Sequence, residues 1–181
     1  MKTLRVALLA LLWLPGAALA QGKAPERASV ELLLRGYDVV ADAAALRGAA
    51  ADLPAVLLEI EADPASSEIL KLQAIDAMGR APDPRTRARL LALIEEARGL
   101  PRAPRRAHRA VNALMESEGG RAQPLALSLL THPDPQWALT AAAAVARFGD
   151  DAGRDAVRAR AQAEKDPVIQ GEFLRLVPAL R

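Results

Sequence analysis

The hydrophobic pattern of the chain is clearest at residues 134–150, DPQWALTAAAAVARFGD, where Trp137, Ala141, Ala144, Val145 and Phe148 recur at helical spacing and share one face. Asp134 is placed to cap the first free amides, Pro135 suits the first helical position, and Gly149 is expected to end the helix with a positive φ. Trp137, Val145 and Phe148 are expected to face the interior. The alanines between them allow a neighbouring helix to approach closely.

The same unit recurs along the chain. Residues 67–79 place Ile69, Leu72, Ile75 and Met78 in phase after Asp63-Pro64, and end in glycine. Residues 104–119 place Ala107, Val111 and Leu114 in phase, with Ala110 beside them and Gly119-Gly120 at the end. Residues 166–180 open with another Asp-Pro pair and carry Val168, Phe173, Leu174 and Val177. Between these lie apolar partners over 53–62, 84–98, 124–131 and 152–165, and no extended alternation suggests a strand. Gly48, Gly79, Gly119 and Gly149 are 31, 40 and 30 residues apart, the period of a two-helix unit. A shortened first pair is predicted over 28–34 and 37–47, divided by Gly36, with Asp38, Asp42 and Arg47 as the polar outer face of a cap. The last helix is expected to cover the end of the stack.

Helix pairs of this length, with Asp-Pro turns, arginine-rich outer positions and an alanine-rich second helix, resemble HEAT-like repeats of the short bacterial kind from Ala28 to Val177. The resemblance implies an all-α domain over 28–181, a right-handed α-solenoid of antiparallel helix pairs with about four repeats including the shortened N-terminal cap. It implies an architecture and no reaction. Some HEAT-like families resemble bilin lyases, so an accessory lyase-like enzyme is the alternative it carries.

The N-terminus is read separately. Lys2 and Arg5 precede the apolar run Val6 to Leu14, Pro15-Gly16 breaks it, and Ala18-Leu19-Ala20 supplies small residues for cleavage before Gln21. Residues 1–20 are therefore expected to be a secretory signal peptide, and 21–27 a flexible polar leader. The expected location is the periplasm or the exterior, with no transmembrane segment after cleavage. This changes the charge balance. The chain has 24 basic and 22 acidic residues, but the two signal-peptide cations account for the excess, so nothing favours a nucleic-acid partner. With no cysteine there is no disulfide, no thiolate metal site and no thiol for N-terminal lipid attachment.

Charge is nonetheless unevenly placed. Residues 21–79 are acid-rich, residues 80–115 arginine-rich. Arg102, Arg105, Arg106 and Arg109 fall on one side of a helix, and Arg85 and Arg89 are expected to extend the ridge from the helix before it. Guanidinium groups make paired contacts to carboxylates and phosphates, so these six residues form the candidate partner-binding ridge. Catalytic candidates are poor. His108 and His132 lack a metal-binding motif, no serine lies in a nucleophile elbow, Ser66-Ser67 suits a helix cap, and Glu59 and Glu61 point to different sides of their helix. The expectation is an exported, non-enzymatic scaffold of the cell envelope, without cofactor or metal, that holds a protein partner, an acidic one if the arginine ridge is its site and not a solvated face; anionic envelope polymer or lipid headgroups are the variant. The sequence leaves the partner's identity and the oligomeric state open.

Overall fold

The structure is a computed structural model that describes residues 17–36, 42–100, 102 and 104–176. Among these the chain forms helices and no strand. The helices are α1 (Ala17–Leu34), α2 (Ala43–Ala49), α3 (Leu53–Ala62), α4 (Glu68–Arg80), α5 (Pro84–Arg98), α6 (Arg105–Glu118), α7 (Gln123–Leu129), α8 (Pro135–Phe148), α9 (Asp151–Ala163) and α10 (Pro167–Leu176), with a 3-10 turn at Gly119–Arg121. None of them is long and apolar enough to cross a membrane. The cleavage-motif cations Lys2 and Arg5, the apolar run after them, and Tyr37, Asp38, Val177 and Leu180 lie outside the described residues.

Short polar side chains start most of these helices. Asp42, Asp52, Ser67, Asp83, Asp134 and Asp150 each accept a hydrogen bond from an amide of the first turn, at 2.7 to 3.3 Å. Each such cap contributes about 1 kcal/mol. Residues 21–27, expected as a loose leader, lie within α1. Their charge is used in packing: Arg27 donates to Glu31 at 2.9 Å, to Glu59 of α3 at 2.8 Å, and to Asp63.

Packing follows a regular order. α4 packs on α6, α6 on α8 and α8 on α10, while α3, α5, α7 and α9 each lie against neighbours in that row. The alanines of α8 permit this: Trp137, Ala138, Ala141, Ala142, Ala144 and Val145 are wholly buried. At Gly79 the approach of α4 to α6 is closer still, since a Cβ there would lie 2.6 Å from the carbonyl oxygen of Ala113 and 2.7 Å from its Cα.

Four expectations are corrected. Gly149 is extended (φ −82°, ψ 171°), not left-handed. It is required instead by crowding, because a Cβ would meet the carbonyl of Val145 at 2.6 Å and the amide oxygen of Gln123 at 2.8 Å. Gln123 is buried there, donating to Asp150 Oδ1 at 2.7 Å and accepting from the Asp150 amide at 2.9 Å. Gly119 (φ +52°) is the only described residue in the left-handed region. Ile69 is 65% exposed, although Leu72, Ile75 and Met78 of the same expected face are buried; in the first turn of α4 the core is met by Leu70 instead. Phe148 is only partly buried, with the Arg147 guanidinium 4.9 Å from its ring centroid. At α10, Phe173 is wholly buried and covers the end of the row, yet Val168 and Leu174 are exposed.

Candidate cationic groove

The six ridge arginines divide into two sets. Arg85 donates to Asp52 at 2.8 and 3.1 Å and to Asp83 at 3.1 Å. Arg89 donates to both oxygens of Glu61 at 2.9 and 3.1 Å, and to Glu96 at 3.0 Å. Arg106 donates to Glu68 at 2.9 Å and approaches Glu61 at 3.7 Å; Arg109 donates to Asp76 at 2.9 Å. Glu61 is 2% exposed, so Arg89 and Arg106 neutralise a buried charge. Removing one partner of such a cluster costs about 3–5 kcal/mol. These four arginines therefore tie the acid-rich first part of the chain to the basic middle.

The protonation equilibria reflect the pairing. Arg106 beside it holds the Glu68 carboxyl below the ordinary carboxylate range. Glu61 makes Arg89 still harder to deprotonate. Asp76 differs: burial pushes its carboxyl upward, and Arg109 opposes that shift.

Arg102 and Arg105 form the second set. Both are exposed, and neither has an ion pair among the described residues. With His108, Arg109, Asn112, Gln136 and Thr140 they line a groove of about 390 Å³ between the first turns of α6 and α8. Arg105, His108, Arg109 and Asn112 stand at i, i+3, i+4 and i+7, the true polar stripe of α6. Arg106 belongs to a different face. That stripe, and the Gln136–Thr140 pair four residues apart on α8, are both present in the sequence; Arg106, expected in the same ridge, is turned instead to Glu68.

The floor of the groove is ordered. His108 Nδ1 and Thr140 Oγ1 are 2.8 Å apart, and the Asn112 amide donates to the His108 carbonyl at 3.1 Å. The His108 ring lies 5.1 Å from that of Trp137, and His132 lies 5.9 Å from the same indole. The Asp134 amide donates to His132 Nδ1 at 3.1 Å, which places the ring proton on Nε2, 3.2 Å from the Arg98 carbonyl. Both histidines thus lie against one tryptophan: His108 links α6 to α8, and His132 links the turn before α8 to the end of α5. Among the described residues no three histidine or acidic side chains gather as metal ligands. No protein family, curated protein or solved structure matches the chain. The groove's chemistry therefore rests on its own residues: exposed guanidinium and amide donors around a floor already hydrogen-bonded, suited to holding an anion by paired contacts.

Proposed function

We propose that the protein is an exported, non-enzymatic scaffold of the cell envelope that binds an acidic protein partner at the groove between α6 and α8. The carrying observation is that Arg102 and Arg105 are exposed and form no ion pair among the described residues, with Arg105 acting on Glu68 only through space, while the other four ridge arginines are bound directly to carboxylates of the same chain. Within the ridge these two guanidinium groups are the ones open to an outside carboxylate, and they stand together at one groove. The scaffold in this reading is a right-handed, HEAT-like α-solenoid, an interpretation supported by the succession of α4, α6, α8 and α10 against one another. An experimental structure with a left-handed superhelix would remove that part. Export rests on the N-terminal charge, apolar run and small-residue pattern.

The test is crosslinking capture from the envelope fraction with the wild type and with the double variant R102A/R105A. The double variant spares Arg106 and Arg109, whose ion pairs hold the fold. One stoichiometric partner is expected with the wild type and not with the variant, with capture weakening as ionic strength rises. Equal capture by both proteins would defeat the site assignment.

A further inference from the structure

On the other side of the α6 N-terminus lies a second cleft, of about 400 Å³, whose apolar walls are Leu93, Ala97, Leu100, Pro104 and Ala107. Leu100 is 45% exposed there, whereas Leu93, Ala97 and Ala107 form a closed floor at 6%, 1% and 1%. The charged residues at its edge, Arg89, Glu96, Arg106 and Glu68, are paired among themselves: Arg89 with Glu96 at 3.0 Å, Arg106 with Glu68 at 2.9 Å. The cleft therefore offers apolar surface and little net charge. The cationic groove offers the reverse. The two share one ridge, since Pro104, Arg106 and Ala107 face the cleft while Arg105, His108 and Arg109 face the groove.

We propose that the two depressions form one docking saddle, whose occupant is an acidic peptide segment carrying a single large apolar side chain. The apolar side chain enters the cleft over Leu93 and Ala97, against Leu100, and the carboxylates reach across the ridge to Arg102 and Arg105. Charge complementarity selects this occupant: across the ridge from the cleft, Arg102 and Arg105 form no ion pair among the described residues, and an apolar ligand without acids leaves both guanidinium groups unused. The ridge is one helix wide, roughly 10 Å with its side chains. About three residues of extended chain span that distance, so anchor and acids are expected at that separation. This inference rests on the groove being an interaction site, and adds the apolar half and the class of partner.

The probe is a fluorescein-labelled synthetic peptide with one leucine followed, three residues on, by paired glutamates in an otherwise glycine-serine chain, titrated with the full chain and read by fluorescence anisotropy. Saturable binding is expected. Leucine-to-alanine replacement in the peptide, or Leu100→Asp in the protein, should weaken it by about tenfold or more, as losing one buried aliphatic side chain implies. R102E/R105E should abolish it, with the helicity of both variants checked by circular dichroism. If the alanine peptide binds as tightly as the leucine peptide, the apolar half is wrong while the cationic groove stands. If R102E/R105E binds normally, the groove reading falls as well. Polyphosphate that binds as tightly as the peptide and displaces it would assign the groove to a polyanion and overturn the saddle, as would absence of peptide binding by the wild type.

Discussion

Gly79→Ala probes the contact between α4 and α6 most sharply. A methyl group at this position would sit 2.6 Å from the Ala113 carbonyl oxygen, 2.7 Å from Ala113 Cα and 3.0 Å from its carbonyl carbon. All three are backbone atoms, so no side chain can swing aside, and the two helices must separate. Overpacking of this kind costs about 1–3 kcal/mol. Replacing a helical glycine by alanine returns about 0.5–1 kcal/mol of backbone entropy and helix propensity. Because the clash is with fixed backbone the overpacking cost lies in the upper part of that range, about 2–3 kcal/mol, and the net expectation is a loss of about 1–2 kcal/mol, which lowers Tm by about 2–8 °C for a domain of this size. Gly48→Ala is the matched control: Gly48 lies in α2, and a Cβ there meets nothing within 4 Å. It should gain up to about 1 kcal/mol. Both are read by thermal melts in far-UV circular dichroism. A Gly79→Ala variant as stable as the wild type would show that the helices do not approach this closely.

Other expectations follow from named contacts. Phe173→Ala should destabilise by about 3–5 kcal/mol and Phe148→Ala by clearly less in urea titrations, because Phe173 is wholly buried and Phe148 only partly; equal losses would contradict the burial. Burial raises the Asp76 carboxyl, so the folded state binds that proton more tightly than the unfolded chain, and ionisation removes stability as pH climbs through and just above the ordinary carboxylate range. The stability of Asp76→Asn relative to the wild type should therefore improve as pH rises through that window, and a relative loss would reverse the assignment. Asp150 is the opposite case, held low by the Gly153 amide and the Gln123 side chain, so its contribution is present above the usual carboxylate range and lost as pH falls through its depressed value. Asp150→Asn should flatten the acid limb of the stability profile, and an unchanged limb would count against it. Intact-mass measurement of envelope-derived protein should show loss of residues 1–20; a full-length species would defeat the export reading.

The elements were legible because the signals were local. Asp134-Pro135 and Ser66-Ser67 mark helix starts, each by one short side chain that accepts from a first-turn amide, and Trp137, Ala141, Ala144 and Val145 of α8 are buried where their spacing predicts. The periodic glycines were legible as boundaries but for reasons of another kind. Gly79 and Gly149 are set by what lies against them in space, which local sequence does not encode. Phe148 shows the same limit, since its phase is right but its depth depends on neighbouring helices. The ridge was half legible: the spacing puts the arginines at the surface and suggests an outside partner, but four of them are consumed inside the chain, which depends on where Asp52, Glu61, Glu68 and Asp76 come to lie.

The central claim, that a partner is held between the first turns of α6 and α8, is tested most directly by a photo-crosslinking residue placed at Gln136 in the exported protein. Gln136 is exposed and lines the groove; Gln162 on α9 is also exposed, is not among the groove's lining residues and serves as control. A discrete adduct is predicted at Gln136, absent at Gln162, and lost from Gln136 when R102A/R105A is introduced. An adduct of the same size at both positions, or one at Gln136 that survives the double substitution, would contradict the account.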